Sequence, residues 1–403
     1  MNSIIYINGL PNTTLPENAM TLLSHSFKVR YLILAAALIT CPGFVNHANA
    51  QKAFLVDLNS RTAIDLGTLG GSRSNASDIN DAGQVVGWSS TAEGDFHAFI
   101  TGPDGVGMRN LGTSGDRGGY ASGINDAGQV VGVGGNNHAF ITGPDGRGMR
   151  DLGTLVGGGW SQPSGINDAG QGVGAFNFNV AEGNLYAFIT GPDGMGMRDL
   201  GNLGAFWASS FANDINNAGQ VVGKSGTAEG YSHAFITGPD GMGMRDLGTL
   251  GGLYSNASGI NDAGQVVGSS YIAEGGEHAF ITGPDGMGMR DLGTLGGGSS
   301  YASGINDAGQ VVGYSFTAEG GYSHAFITGP DGEGMTDLNS LVDLPGIILT
   351  SAVGINNSGQ VIANTNIFIS TIPEPEAYAL MFAGLGLIGF MVRRKKMENL
   401  KRY

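Results

Sequence analysis

The chain repeats a module of about 45 residues, and this repetition limits its possible folds more than any other feature. The motif Ile-Asn-(Asp/Asn)-(Ala/Ser)-Gly-Gln begins at residues 79, 124, 166, 215, 260, 305 and 355. A second motif, Ala-Phe-Ile-Thr-Gly-Pro-Asp-Gly, places its Phe at residues 99, 140, 188, 235, 280 and 326. A module of this size cannot bury its own apolar residues, so successive copies must pack on one another.

One module has the pattern of four short antiparallel strands. In the copy at residues 74–111, the predicted strands are Ser74–Ile79, Gln84–Trp88, His97–Thr101 and Met108–Leu111. Asn-Asp-Ala-Gly and Gly-Pro-Asp-Gly separate them as turns, because Gly tolerates positive φ and Pro presets φ. Continuous apolar runs such as Val85-Val86 indicate strands that are covered on both faces. Four such strands have the size of one β-propeller blade.

The array therefore predicts an all-β fold, a β-propeller of about seven four-stranded blades over residues 51–370. Incomplete copies near residues 53–66 and 352–370 predict that strands from both ends close the ring, which leaves the blade count open by one. Gly supplies 73 of 403 residues, while 41% of the chain is hydrophobic. This composition favours short strands and tight turns over disorder.

The modules resemble the HAF repeats of extracellular bacterial proteins. His-Ala-Phe recurs at residues 97–99, 138–140, 233–235, 278–280 and 324–326. Tyr186 and Asn366 replace the His in two further copies. The resemblance implies an extracellular setting and no defined biochemical activity.

The N-terminal segment has the three parts of a secretory signal peptide. Lys28 and Arg30 precede an apolar run at residues 31–40, and the small-x-small sequence Ala48-Asn49-Ala50 follows. We predict a signal helix within residues 1–50, with Met20 as a candidate for the true start. A retained membrane anchor is the alternative, although the run is short for a span. Cys41, the one cysteine, lies in this segment, so the mature chain has no thiol chemistry.

The C-terminal segment, residues 371–403, is predicted to form a single transmembrane helix at residues 377–392. These sixteen residues are uncharged and mostly apolar, cover about 24 Å as a helix, and precede Arg393, Arg394 and two lysines. The basic cluster would stay on the cytoplasmic side. A plain C-terminal anchor is the simpler interpretation.

Pro373, Glu374 and Pro375, followed by the Gly-rich apolar run and Arg393-Arg394, closely resemble the PEP-CTERM sorting signal. The resemblance implies export by the secretion machinery and transient anchoring in the inner membrane. It also implies recognition by an exosortase, then release to the cell surface or extracellular matrix. Whether the tail is cleaved stays open at this point.

Charge and motif content both argue against several classes of function. Residues 51–376 contain 32 acidic and 11 basic residues, which argues against nucleic-acid binding. No Ser-centred elbow, His-Glu-x-x-His or phosphate-binding loop occurs, and near-identical copies do not provide one pocket of unlike groups. We therefore predict a non-enzymatic structural or binding scaffold for polysaccharide or other surface proteins. The alternative is a secreted propeller hydrolase or lyase acting on polysaccharide.

No metal or other cofactor is predicted. The histidines recur once per module, which places them too far apart to share a zinc ion. The Asn-Asp-Ala-Gly turns faintly resemble a calcium loop, but their spacing differs and hairpin turns alone account for these residues. Calcium binding is kept as the alternative.

The variable loops offer a candidate polysaccharide-binding face, opposite the face formed by the two uniform turns. The candidate aromatic residues in the links are Tyr120, Trp160, Trp207, Tyr254 and Tyr301. The candidate acidic residues in the loops are Glu93, Glu182, Glu229, Glu274 and Glu319. Aromatic faces beside carboxylates bind sugars by stacking and hydrogen bonding. The alternative is that the rings cap the core between blades.

Overall fold

The computed structural model describes residues 49–112, 118–155, 159–177, 183–204, 208–319, 321–368 and 393–394. The repeats form one unit, Asn49–Ile367. Most of the predicted signal peptide and the whole predicted C-terminal helix at residues 377–392 lie outside the described residues. Within the described ranges, no helix has the length and apolar character needed to cross a membrane.

Four repeats each form a separate four-stranded antiparallel sheet in chain order. Repeat 1 contains β3 (Gly70–Ile79), β4 (Val85–Thr91), β5 (Phe96–Ile100) and β6 (Arg109–Gly112). Repeat 2 contains β7 (Tyr120–Ile124), β8 (Val130–Val133), β9 (Ala139–Gly143) and β10 (Arg147–Gly153). Repeat 3 contains β11 (Ser161–Ile166), β12 (Gly172–Phe176), β13 (Tyr186–Ile189) and β14 (Arg198–Asp199). Repeat 4 contains β15 (Ser210–Ile215), β16 (Val221–Gly226), β17 (Ser232–Ile236) and β18 (Arg245–Gly248).

Two further repeats share one eight-stranded sheet. Repeat 5 contains β19 (Gly251–Ile260), β20 (Val266–Ile272), β21 (Glu277–Ile281) and β22 (Arg290–Asp291). Repeat 6 contains β23 (Gly296–Ile305), β24 (Val311–Thr317), β25 (Ser323–Ile327) and β26 (Thr336–Asp337). Single-turn 3-10 helices occupy Pro103–Gly105, Pro144–Gly146, Pro192–Gly194, Pro239–Gly241, Pro284–Gly286, Pro330–Gly332 and Leu338–Ser340.

The two incomplete copies combine into the closing sheet, in which strands from both ends of the array lie side by side. It contains β27 (Ser351–Ile355), β28 (Gln360–Phe368), β1 (Asn49–Asp57) and β2 (Thr62–Asp65). Its strand order is β2-β1-β28-β27. Asn49 and Ala50, the last residues of the predicted signal segment, therefore belong to a strand of the array.

The predicted number of separate blades is wrong. The described chain has five separate four-stranded blades rather than seven, and repeats 5 and 6 form the eight-stranded sheet. A single parallel pairing between Glu277 and Ser299 joins these two repeats. Such a pairing depends on how closely two neighbouring strands approach, which the repeat motifs do not encode.

The core lies between neighbouring sheets. Val86, Ala98 and Ile100 of repeat 1 pack against Ala121, Ile124, Val130 and Phe140 of repeat 2. The next side chain along β5, Phe99, points to the other face and packs against the closing sheet. Both faces of the second and third strands are thus buried, which is why these strands are apolar without alternation.

Seven buried asparagines join the first hairpin of every repeat into a closed ring. The Nδ2 group of Asn80 donates to Oε1 of Gln84 at 2.9 Å and to the carbonyl oxygen of Asn125 at 3.1 Å. Asn125, Asn167, Asn216, Asn261 and Asn306 each donate likewise to the next carbonyl, and Asn356 closes the ring on Asn80. Each amide thereby satisfies its own turn and the neighbouring turn, so every repeat is tied to the next.

We expect the replacement Asn216→Ala to lower the free energy of unfolding by about 2 kcal/mol, because it leaves buried backbone groups without partners. Asn216 is 4% exposed. The adjacent Asn217 is exposed, so water replaces its lost bonds and Asn217→Ala should cost less than half as much. Urea unfolding of both variants measures the difference, and equal losses would contradict the role of burial.

Candidate functional site

The two uniform turns lie on one face, here called the turn face. The backbone N–H of Asp104 donates to the carbonyl oxygen of Ala82 at 3.3 Å, and that of Gly105 donates to Gly83 at 2.9 Å. The loops between second and third strands, and the links between repeats, lie at the opposite ends of the strands. They form the loop face, where Gly70 of a link pairs with Thr91 beside a loop.

The polar groups of the Gly-Pro-Asp-Gly turns hold neighbouring repeats together. Asp104 (φ 55°) and Gly105 (φ 70°) both have left-handed backbone, as the central residues of a type I′ turn do. The sequence predicted this conformation for Gly alone, but Asp104 adopts it as well. Arg109 donates through Nη2 to the carbonyl oxygen of Asp145 in the next repeat at 2.6 Å. Arg150, Arg198, Arg245 and Arg290 make the same contact.

The recurrent histidines pair with the fourth strand of their own sheet. Nδ1 of His233 lies 2.8 Å from Oδ2 of Asp246. His138, His278 and His324 face Asp151, Asp291 and Asp337 in the same way, while His97 faces Asn110. Among the described residues, no group of three or more His, Cys, Asp or Glu side chains is placed to hold a metal ion. The absence of a cofactor and the calcium alternative both stay predictions.

A second ring, of five aspartates and two asparagines, surrounds the axis on the turn face. Each side chain accepts a hydrogen bond through Oδ1 from the backbone N–H of the corresponding residue in the preceding repeat. Its members are Asp81, Asp126, Asp168, Asn217, Asp262, Asp307 and Asn357. The ring lines a narrow polar opening of about 200 Å³.

The two asparagines separate the carboxylates of this ring. Asn217 donates to Oδ2 of Asp168 at 2.9 Å and to Oδ2 of Asp262 at 3.0 Å. Asp126 has a carboxylate on either side instead. Burial, together with the charges of Asp81 and Asp168, raises the pKa of Asp126.

Asp78 and Asp214 lie just inside this opening and each bridges two repeats. Oδ2 of Asp78 accepts from the N–H of Ile124 at 2.9 Å, and Oδ2 of Asp214 accepts from the N–H of Ile260 at 3.0 Å. Burial raises the pKa of Asp78 to about 6 and that of Asp214 to about 7. The other five copies have Gly at this position.

The loop face places several predicted aromatic residues next to further aromatics. Tyr254 is 44% exposed and its ring centroid lies 5.6 Å from that of Tyr231 and 5.8 Å from that of Tyr271. Tyr301 stacks on Tyr314 at 4.7 Å. Tyr254, Tyr231 and Tyr271 line the junction of repeats 4 and 5 and together form the aromatic patch.

The structure places the other predicted site residues less close together. Trp160 is partly buried just before β11, and its carbonyl oxygen accepts from the N–H of Asn177 at 3.0 Å. Glu93, Glu229, Glu274 and Glu319 are exposed in the loops. Trp207 and Glu182 lie outside the described residues, as do Pro373, Glu374 and Pro375. Of the sorting-motif residues, Arg393 and Arg394 are described and exposed.

An acidic residue that the sequence analysis did not select lies against a predicted tyrosine. Glu277 accepts from the hydroxyl of Ser269 at 2.7 Å and is hydrogen-bonded to Tyr301. Burial, with the charge of Glu277, raises the pKa of Tyr301 to about 12. Glu277 begins strand β21, whereas the sequence predicted acidic site residues only in the loops.

A further concave feature of the loop face lies between repeats 1 and 2. This junction pocket has a volume of about 620 Å³ and is lined by Trp88, Gly94, Asp95, Phe96, Gly118, Gly119 and Tyr120. Trp88 and Phe96 meet edge to face, with centroids 5.0 Å apart. Only Tyr120 was predicted. Trp88 and Phe96 lie in strands, and aligning the copies residue by residue would have identified both as departures from the repeat.

The fold defines the class: a β-propeller closed by strands from both ends, with uniform turns on one face and aromatic groups on the other. Residues 371–395 match the PEP-CTERM protein-sorting motif. This motif implies an exported protein that is processed by an exosortase. The predicted sorting signal is thereby confirmed. No curated protein matches the chain.

Solved structures similar to this chain are also propellers. An oligogalacturonate lyase from Vibrio parahaemolyticus is 10% identical, with a TM-score of 0.50 over 78% of this chain and 96% of the lyase. TolB from Acinetobacter baumannii is 11% identical, with a TM-score of 0.43 over 83% of this chain and 68% of TolB. The propeller domain of the Trilobed protease from Pyrococcus furiosus is 12% identical, with a TM-score of 0.48 over 70% of this chain and 87% of the protease domain. At 10% identity the similarity to the lyase shows the fold alone.

The buried carboxyl groups at the axis predict that the protein is more stable in mild acid. Asp78 and Asp214 have pKa values of about 6 and about 7 when folded, against an ordinary value of 3.8. At a pH between the ordinary and the raised pKa, the two carboxyl groups are ionised in the unfolded chain but protonated in the folded protein. The stability that this difference contributes is present below pH 4 and is lost as the pH rises through 6 to 7.

We expect Asp78→Gly/Asp214→Gly, which installs the residue of the other copies, to reduce this pH dependence. Between pH 4 and pH 8 the double variant should lose at least about 2 kcal/mol less unfolding free energy than the wild type. Urea titrations at pH 4, 6 and 8 measure the loss, and Asp95→Gly in an exposed loop is the control. Parallel curves for the double variant and wild type would contradict the assignment.

Proposed function

We propose that this protein is an exported, non-enzymatic propeller that is sorted to the cell surface or extracellular matrix and binds polysaccharide through its loop face. The observation that carries the binding proposal is the set of exposed aromatic groups at the junctions between repeats on that face. The sorting motif at residues 371–395 supports the route, with an exosortase as partner. The HAF-like module, with its extracellular setting, is consistent with the same location.

The arrangement of the loop face favours extended ligands. Tyr254 and Tyr271 are 44% and 42% exposed, although burying aromatic rings is favourable. Tyr231 packs on Tyr254 at the junction of repeats 4 and 5, and a second pair on the same face, Tyr301 and Tyr314, belongs to repeat 6. Aromatic rings bind the C–H faces of sugars through apolar contact and weak C–H interactions. A polymer that contacts several junctions at once gains affinity by multivalency.

The engagement of the repeated polar groups supports a non-enzymatic role. The histidines are paired with a neighbouring strand, the arginines with turn carbonyls, and the axial aspartates with backbone N–H groups. Catalysis needs unlike groups in one pocket with freedom to exchange protons. A polysaccharide hydrolase or lyase is the alternative proposal, and turnover of the bound polymer would identify it.

We expect Tyr254→Ala/Tyr271→Ala to reduce retention on exopolysaccharide of the producing bacterium about tenfold, because each ring contributes roughly 0.5–1.5 kcal/mol. Co-sedimentation with the insoluble polymer measures the retained fraction. Met242→Ala/Met287→Ala is the matched control, since it removes two exposed apolar side chains that follow the turns of the opposite face. Equal retention of both variants and wild type would contradict polysaccharide binding through the aromatic patch.

We expect Pro373→Ala/Glu374→Ala/Pro375→Ala to keep the tail uncut and the protein in the inner-membrane fraction. Cell fractionation with mass spectrometry of the C-terminus measures both effects. Glu398→Ala is the control, because it lies beyond the matched residues 371–395. Normal processing of the triple variant would contradict sorting by this motif.

A further inference from the structure

We infer that the junction pocket binds one uncharged pyranose unit of a glycan chain and discriminates against uronate chains. The inference rests on the proposed polysaccharide-binding function and names the substrate class for one site. The volume of about 620 Å³ falls within the range of small-molecule pockets. The lining is mostly apolar, with few polar groups to fix the orientation of a ligand, as such pockets require.

The pocket is kept open by backbone that carries no side chains. A Cβ atom on Gly118 would lie 1.8 Å from the carbonyl oxygen of Phe96, and one on Gly119 would lie 2.5 Å from that of Val133. Gly118 therefore allows the link to approach repeat 1 closely, Gly119 allows it to approach β8 of repeat 2, and neither residue has a side chain that fills the space. Trp88, Phe96 and Tyr120 line the pocket instead.

Comparison of equivalent positions indicates that the aromatic residues are not needed for folding. Where repeat 1 has Trp88 and Phe96, repeat 5 has Ser269 and Glu277. There Glu277 hydrogen-bonds Ser269 at 2.7 Å and also Tyr301, so that junction satisfies its own polar groups. The fold thus accepts small and polar residues at these two positions. Repeat 1 instead exposes 45% of Phe96 beside an open pocket, which a ligand would cover.

The chemistry of the lining selects the class of sugar. Aromatic rings pack against the C–H face of a pyranose, and the carboxylate of Asp95 at the rim accepts hydrogen bonds from hydroxyl groups. No Lys or Arg is among the described residues of the lining. The array is strongly acidic, so a uronate would meet repulsion, and the described residues of the lining offer its carboxylate no cationic partner. An uncharged hexose unit is not repelled by the acidic groups and needs no cationic partner.

The test compares trisaccharides that differ in charge. The protein is titrated with four trisaccharides: cellotriose, β-1,4-galactotriose, β-1,4-mannotriose and trigalacturonate. Calorimetry and tryptophan fluorescence measure their binding. We expect at least one neutral trisaccharide to bind at least tenfold more tightly than trigalacturonate. Binding of none of the neutral sugars, or tightest binding of trigalacturonate, would overturn the inference.

Two variants locate the binding. Trp88→Ser installs the residue that repeat 5 has at this position, so the fold should be retained, and neutral-sugar affinity should fall at least tenfold. Lys224→Ser, the same replacement residue at the equivalent exposed position of repeat 4, should change it less than twofold. Asp95→Asn removes the carboxylate charge, so the ratio of the dissociation constants of trigalacturonate and the neutral trisaccharide should fall at least threefold. Unchanged affinity in Trp88→Ser protein with a native melting temperature would overturn the inference.

The failures of the two proposals are distinguishable. If Trp88→Ser binds sugars normally while Tyr254→Ala/Tyr271→Ala loses the polymer, the junction pocket is not the sugar site and the proposed function stands. If wild type is not retained on polysaccharide at all, the proposed function fails whatever the small-sugar titrations show.

Discussion

The hydrogen bonds between successive hairpins at the axis are the constraint on which the rest of the structure depends. A short antiparallel sheet of four strands cannot exclude water from both of its faces. The Asn ring fixes where each sheet stands relative to the next, because one amide satisfies both its own turn and the following carbonyl. Val and Phe side chains from neighbouring sheets then meet at a fixed spacing, and the closing bond from Asn356 to Asn80 makes the last sheet equivalent to the others.

The sequence predicted the parts of the fold that repeat, because every copy has the same turn motifs and the same apolar strand pattern. The Asn-Asp-Ala-Gly turn, the Gly-Pro-Asp-Gly turn and the apolar pairs between them define the strands within a few residues, as β4 and β5 show. The pairing of Glu277 with Ser299 was not predictable, because it depends on a backbone approach between two copies. The left-handed Asp104 was missed because Asp-Gly was treated as one Gly position and not as a type I′ pair.

The candidate site was predicted less well, because several of its residues are departures from the repeat. Sorting residues by loop found Tyr254 and Tyr301, but it overlooked Trp88, Phe96 and Glu277, which occupy strand positions facing the next sheet. Hydropathy does not identify Trp88 and Phe96 as site residues, since an apolar pattern predicts that an aromatic residue in a strand is buried in the core. Only the sheet-to-sheet spacing shows that Phe96 stays 45% exposed beside a pocket.

The two faces of the ring differ in how far their residues can vary, for a physical reason. On the turn face, each carboxylate or amide accepts a backbone N–H from a neighbour, so a change in one copy disturbs two repeats. Even there, Asn217 and Asn357 interrupt the aspartates, which limits repulsion in a ring that closes on itself. The loop-face side chains described above take no part in these hydrogen bonds. Trp88 and Ser269 occupy equivalent positions in the same fold, so the closed scaffold accepts different side chains at each junction.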